Sequence, residues 1–396
     1  MAGPGRARGW PSAQPDGVHH RSIRSALAAG RSVVSLSGLR VVVAGAGAVG
    51  SAVALTLVRN GAAVVLADPA AMGGNASSVA AGMLAPAMEA ALDATSGDHF
   101  ALLRTARDCW PAFLEGVAGE GAGLHRSGAL WVGDEASQAG VLGQLAALGA
   151  SADRMASAEA HAMSPGLQAP AGGVFTPEDW RLDPAGMLMA LRHAFIELGG
   201  EWRGFAITDF DGASVGFGDG ERIPADALVL ATGLAPQGWM QAPPEVRDLT
   251  PIKGQLLRFP GGEPRSGPCI RGDGVYVVPG ASAATAGATM EPGANDRKID
   301  PEASSRLFRL ASGLFPDLPR ARMAPEVGVR STTNDGLPLV GPSSLPAVFL
   351  AMGARRNGWL LAPLMAKVLA DRLAGVAPSA FSALFDPQRP SISLPA

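Results

Sequence analysis

The chain of 396 residues predicts an α/β fold in which a parallel βαβ core carries an inserted, mainly antiparallel sheet. Two observations predict it. An apolar run over residues 39–44, a Gly-Ala-Gly-Ala-Val-Gly turn, a helix-spaced stretch to Asn60 and a second apolar run to Ala67 follow one another directly. From Glu201 to Val229, by contrast, apolar residues alternate at period two around glycine-containing turns, and further strands follow to Thr289. With 47% hydrophobic residues, the chain is long enough for two domains and a large buried core.

Residues 1–38 carry Arg6, Arg8, Arg21, Arg24 and Arg31 against one acid, Asp16, with Pro and Gly scattered among them. This segment predicts a disordered tail; a transit peptide, or a translation start placed upstream of the true one, would share its composition. The βαβ unit follows at 39–67, its helix closed by Gly61. Beyond Pro86, helices are expected at about 98–117 and 136–148, around a strand at 128–132. A strand at 173–176 precedes Asp183-Pro184, which caps a helix that Gly199-Gly200 stops. Strands then recur to Val229 around Asp211-Gly212 and Asp219-Gly220. Strands at 255–259, 274–278 and 285–289 and a helix at 301–314 are assigned to a substrate-binding sheet, and a strand at 348–352 with a helix at 359–373 completes the core. The expected domains are thus a discontinuous cofactor-binding domain (39–90, 155–240 and 326–396) and a substrate-binding domain (91–154 and 241–325).

A net charge of −3 offers no basic field for nucleic acid. Cys109 and Cys269 lie far apart, and six histidines form no ligand set, so no metal is expected and a reduced, cytoplasmic setting is the default. No apolar run reaches the roughly 18 residues of a spanning helix, so no transmembrane segment is expected. Only three lysines, at 253, 298 and 367, stand among 32 basic side chains, which reads as genome composition. Oligomeric state is left open, a homo-oligomer included.

The chemistry starts at the turn. Gly45 makes the bend after the strand, Gly47 lets a pyrophosphate approach the backbone, and Gly50 lets helix pack on sheet. The helix N-terminus adds amide donors and partial positive charge at Ala48 and Val49. Asp68 ends the second strand, where a carboxylate can hold an adenosine ribose and would repel a 2′-phosphate. This pattern predicts a dinucleotide and leaves NAD and FAD both open.

Residues 73–86, Gly-Gly-Asn-Ala-Ser-Ser-Val-Ala-Ala-Gly-Met-Leu-Ala-Pro, add a further motif. With it go Ala231-Thr-Gly233, Thr250-Pro-Ile-Lys-Gly-Gln255, Tyr276-Val-Val-Pro279, Gly287-Ala-Thr289, Asp335-Gly-Leu-Pro-Leu-Val-Gly-Pro342 and Arg356-Asn-Gly-Trp-Leu-Leu-Ala-Pro363. In this order, over about residues 38–376, the chain resembles the D-amino-acid oxidase family of flavoenzymes, and within it the glycine oxidases of thiamine biosynthesis.

The resemblance implies a Rossmann-like FAD-binding domain with an inserted antiparallel-sheet substrate-binding domain. It implies non-covalent FAD with its adenosine at Asp68 and its pyrophosphate at Gly45 to Gly50. Ser77, Ala81, Gly82, Met83 and Gly233 are further expected cofactor contacts, as are Asn357, Gly358, Trp359 and Leu360 at a helix start aimed at the flavin. Arg330 is the implied carboxylate anchor, with Tyr276 as the hydroxyl donor beside it. Arg356 is a third catalytic candidate, its neighbour Arg355 competing for the role, and Met290 lines the implied side-chain pocket. Lys253 matches a basic position of relatives but reads equally as a surface lysine. Where the family usually shows a histidine and an aromatic, Ala354 and Arg355 stand here. Monomeric sarcosine oxidases carry Gly-x-Lys-x-Gly where this chain has Ala283-Ala-Thr-Ala-Gly287, and a flavin-linking cysteine that residues 270–396 lack.

The implied activity is oxidation of glycine or another small amino acid by hydride transfer to flavin N5. Oxygen would reoxidise the flavin to give hydrogen peroxide, and the imine would yield glyoxylate or enter thiazole assembly. A D-amino-acid dehydrogenase of the same fold using another acceptor is the nearest alternative. An NAD-dependent dehydrogenase and a non-catalytic dinucleotide-binding regulator are the others.

Overall fold

The computed structural model describes residues 35–70, 74–93, 96–119, 122–234, 242–261, 265–280 and 283–390. Most of the expected tail, residues 1–34, lies outside them, as does Gly73.

Two sheets organise the molecule. The first takes strands Leu339–Pro342, Val348–Met352, Ala227–Leu230, Arg40–Ala44, Ala63–Ala67 and Glu201–Arg203 in that spatial order. All its pairs are parallel except Leu339–Pro342 with Val348–Met352. Its central strands are apolar on both faces because helices or further layers cover both. On one side, helices Ala48–Arg59, Pro184–Glu197 and Gly358–Leu373 join a core that includes Leu55, Leu191 and Met365. On the other, the three-stranded sheet of Ile207–Phe210, Ser214–Phe217 and Arg222–Pro224 contributes Phe210, Val215 and Ile223 to a second core.

The larger sheet has nine strands, built on Thr250–Pro260, Ala283–Gly287, Val275–Val278 and Cys269–Gly272 as antiparallel neighbours. Ala129–Trp131 joins Cys269–Gly272 in parallel and then continues to Gly173–Thr176 and Asp153–Met155. Helix Pro301–Leu314 covers one face through Leu307, Ala311 and Leu314.

Three placements differ from the sequence-based domain assignment. The strand at 173–176, assigned to the cofactor-binding segment, lies in the larger sheet. The boundary at 326 cuts the strand Ala324–Thr332, which pairs with Thr250–Pro260 from Thr250↔Thr332 to Arg258↔Ala324. The helix expected at 98–117 is broken at Cys109 into Phe100–Asp108 and Trp110–Phe113, and its Leu102, Leu103, Ala106 and Trp110 pack in the core around Gly358–Leu373, while Phe100 alone reaches the cluster under the larger sheet. Period-two and period-3.6 patterns identify an element but not its partner, which long-range packing chooses. Among the described residues, no helix is long and apolar enough to cross a membrane.

Candidate active site

A cavity of about 510 Å³ opens at the carboxyl end of the parallel sheet, and Gly45, Gly47, Ala48, Val49, Asp68, Ser77, Gly233, Gly358 and Trp359 all line it. The glycines are there for different reasons. Gly45 has φ +99°, and a Cβ on it would sit 2.5 Å from the Ala231 carbonyl oxygen. A Cβ on Gly50 would meet the Gly45 carbonyl oxygen at 1.8 Å, so this residue serves helix-on-sheet packing and does not line the cavity. A Cβ on Gly47 would meet only the Ser77 side chain, whose Oγ accepts a hydrogen bond from the Ala48 amide at 2.9 Å.

Asp68 fixes the turn while remaining available to a ligand. Its two oxygens accept from the Ala46 and Ala70 amides, each at 2.8 Å, and each keeps a lone pair. Helix Gly358–Leu373 begins at Asn357 with no side-chain cap, so its first amides face the cavity wall at Gly358 and Trp359 unspent by the protein's own caps. Trp359 is held by its indole N–H, which donates to the Ser77 carbonyl at 2.9 Å. Leu360, expected as a cofactor contact, is 1% exposed inside the apolar core, and its side chain lines neither cavity. The helix start faces the cavity through its first two residues, and the third turns inward.

A second cavity of about 360 Å³ lies against the larger sheet, lined by Ala81, Gly82, Met83, Tyr276, Met290 and Asn357. Met290, at 36% exposure, stands at its rim rather than in the core. Arg330, Arg356, Trp359 and Ala80 line both cavities, so the two meet there. Arg330 projects from the strand Ala324–Thr332 over Gly254, where a Cβ would come within 2.4 Å of its Nη1. That Nη1 is buried with no hydrogen-bond partner in the protein. Burial lowers the Arg330 pKa, with the Tyr276 side chain acting in the opposite direction. Tyr276 leans across Gly287, where a Cβ would lie 2.5 Å from its hydroxyl. Burial raises its pKa although Arg330 and Arg356 oppose this, so it is a neutral O–H donor.

Several residues of this floor escape sequence reasoning. Arg271 faces Tyr276 across the antiparallel pair and donates from Nη2 to Glu89 Oε1 at 3.0 Å. Arg356 Nη2 reaches the same oxygen at 3.2 Å, its Nε lies 3.2 Å from Glu89 Oε2, and its Nη1 reaches Asp93 at 3.3 Å. Arg355 pairs with Asp93 as well. Burial alone would raise the Glu89 carboxyl, but Arg356 and Arg271 hold it below the ordinary value. Beneath it, fully buried Asp179 accepts from the Ala87 and Met88 amides at 2.9 and 3.3 Å, fixing the helix Pro86–Leu92 that presents Glu89. One signal for Arg271 was in the sequence: Asp273-Gly274 is a two-residue hairpin turn, and its register sets Arg271 opposite Tyr276. Nothing comparable marks Glu89, whose role depends on a helix meeting the sheet.

Lys253 is 6% exposed and pairs with Asp296 at 2.9 Å; it lines neither cavity. Neither Cys109 nor Cys269 lines either of these two cavities, and burial pushes the Cys269 thiol up to about 11. A glycine cradle, a ribose-ready carboxylate, an uncapped helix start and an unpartnered arginine donor at the inner end together fit a long dinucleotide whose reactive end reaches the second cavity.

Comparison with known proteins agrees. The family model for FAD dependent oxidoreductases (DAO) matches residues 40–372. The glycine oxidase of Geobacillus kaustophilus is 28% identical over 348 residues, 84% of this chain and 92% of that protein. The bifunctional protein ThiO/ThiG of Nostoc sp. is 31% identical over 350 residues, 84% of this chain but only 52% of that protein, so this chain spans about half of its length. The crystal structure of the Geobacillus kaustophilus glycine oxidase superposes with a TM-score of 0.75 at 25% identity, covering 89% of this chain and 99% of that one. An iminodiacetate oxidase from Chelativorans sp. BNC1 shares the fold, with a TM-score of 0.74 at 23% identity over 88% of this chain and 99% of that one. The chain therefore belongs to the DAO family of FAD dependent oxidoreductases, with FAD as its cofactor.

Proposed function

We propose that the protein is an FAD-dependent oxidase of glycine or another small amino acid. The observation that carries this reading is Arg330, a half-buried side chain with a buried, unpartnered Nη1, standing where the cofactor cavity opens into the second one. A planar fork in that position holds a carboxylate and so sets which substrate bond faces the cofactor. Tyr276, kept neutral by burial, donates a hydrogen bond from its hydroxyl to the same carboxylate. Met290 at the rim bounds the side-chain space, and Arg356 closes the wall between the cavities while tied to Glu89 and Asp93. FAD, when bound here, would supply the two-electron acceptor for the Cα–H bond, with oxygen as the final oxidant and hydrogen peroxide as its product. With glycine, the imine hydrolyses to glyoxylate and ammonia or, as the resemblance to glycine oxidases of thiamine biosynthesis implies, serves thiazole assembly. Two free cysteines suit a cytoplasmic location.

Yellow purified enzyme mixed anaerobically with glycine, sarcosine or small D-amino acids should bleach, and should release peroxide on admission of oxygen. Arg330→Ala should raise the substrate KM roughly 100-fold, about 3 kcal/mol of lost charge-assisted binding. Bleaching without peroxide, with turnover restored by an artificial acceptor, would make the protein a dehydrogenase; no bleaching with any amine would reject amino-acid oxidation.

A further inference from the structure

We propose that the second cavity selects small amino acids carrying an additional anionic group, on the side chain or the amine nitrogen, and that Arg271 reads that group. The inference rests on the amino-acid reading above and deepens it.

Register places Arg271 for this role. Arg271, Tyr276 and Gly287 form one row across three neighbouring strands, Arg271 pairing with Tyr276 and Tyr276 with Gly287. Cross-strand partners share a face of the sheet, so Arg271 and Tyr276 stand on the same side, and both line the cavity. Gly287 contributes no side chain, and Tyr276 leans over it toward Arg330. The carboxylate anchor is thereby built on one side of Tyr276, leaving Arg271 as a separate cationic position on the other.

Two acids face Arg271 but engage it incompletely: Glu89 takes its Nη2 hydrogen bond, whereas Asp179, close enough to act on it electrostatically, spends its oxygens on the Ala87 and Met88 amides. Among the described residues, three guanidinium groups line the cavity, Arg271, Arg330 and Arg356, against two carboxylates. One of these, Asp273, lies exposed on the rim. The other, Glu89, is 5% exposed and is shared between Arg271 and Arg356. Arg271 itself is 4% exposed, and its Nε is a buried donor with no partner. A fixed, desolvated guanidinium engaging half of a shared carboxylate favours a second oxyanion. A purely structural ion pair needs no cavity wall, whereas this one forms part of the wall.

The test compares ligands of one and two negative charges on flavin-loaded enzyme. Glycine and D-alanine are run against iminodiacetate and D-aspartate for turnover, and acetate against malonate for binding by thermal shift. The expected result is a kcat/KM at least about tenfold higher for one dianionic amine, and malonate binding at least about tenfold tighter than acetate. Arg271→Gln should collapse the dianionic-to-glycine ratio to near one. Equal treatment of both ligand classes by the wild type would overturn the proposal, as would a proportional loss on both classes in Arg271→Gln, which marks a structural role. If Arg271→Gln does not fold, Arg271→Lys and the wild-type comparison decide. Should no amine of either class bleach the flavin, the oxidase reading fails, and the malonate and acetate arm still judges Arg271.

Discussion

Arg330 and Arg271 show how one residue type takes different work from different surroundings. Both are guanidinium groups on strands of the larger sheet, Arg271 buried and Arg330 half-buried, but Arg330 stands over glycine at the junction of two cavities while Arg271 is tied to Glu89. Asp179 is the residue whose environment makes the sharpest pH prediction. Burial pushes its carboxyl up to about 7, although Arg271 and the Ala87 and Met88 amides pull it down. With its folded pKa above the unfolded one, the group's stabilising contribution is complete below the unfolded value, near pH 4. It is lost as pH rises toward 7, because the unfolded chain releases the proton first. Asp179→Asn should therefore flatten the decline of thermal stability between about pH 4 and 7. Melting curves across that window check it, and a variant as pH-sensitive there as the wild type would count against this assignment.

At the scale of elements, a short helix is fastened to the large sheet by one side chain. Ala76–Val79 lies beside the glycine turn, and the loop that follows it passes between the two cavities at Ala80. Arg258, on the strand Thr250–Pro260, donates from Nη2 to the carbonyls of Ser78, Val79 and Ala80 at 3.0 to 3.1 Å. Its Nη1 donates to Thr285 Oγ1 at 2.7 Å, and its Nε to Glu326 at 3.2 Å. Carbonyls that end a helix need such partners, and here the partner comes from the other sheet. Arg258→Ala should loosen the cofactor-facing loop and weaken FAD retention by roughly tenfold, about 1.4 kcal/mol. Flavin fluorescence released on dilution measures this; retention equal to the wild type would show that the loop holds its shape without the clamp.

For the whole molecule, the FAD cavity takes walls from both sheets, with Gly45 and Gly233 on one side and Val329 and Arg330 on the other. Cofactor binding should couple the two and stabilise them together. Free FAD at 1,000 times its dissociation constant should add about 4 kcal/mol to unfolding, read as a rise in melting temperature in a single transition. Two transitions, only one of them shifted by FAD, would show that the sheets unfold independently. Much of this architecture was legible from local sequence. The strand–Gly45-Gly47-Gly50–helix–strand–Asp68 run specified the cradle, because those roles depend on backbone space and chain order within one unit. Tyr276, Arg330 and Arg356 were legible only through the family resemblance, because a lone arginine or tyrosine carries no local signal, and the structure brings them to one cavity wall. What only tertiary structure decided was partnership. It set Gly173–Thr176 in the larger sheet, turned Leu360 into the core, brought Glu89 and Asp179 beneath the arginines, and set Arg271 beside Tyr276. A periodic pattern records which face of an element is apolar, whereas the identity of the surface that covers it is settled by packing among residues far apart in the chain.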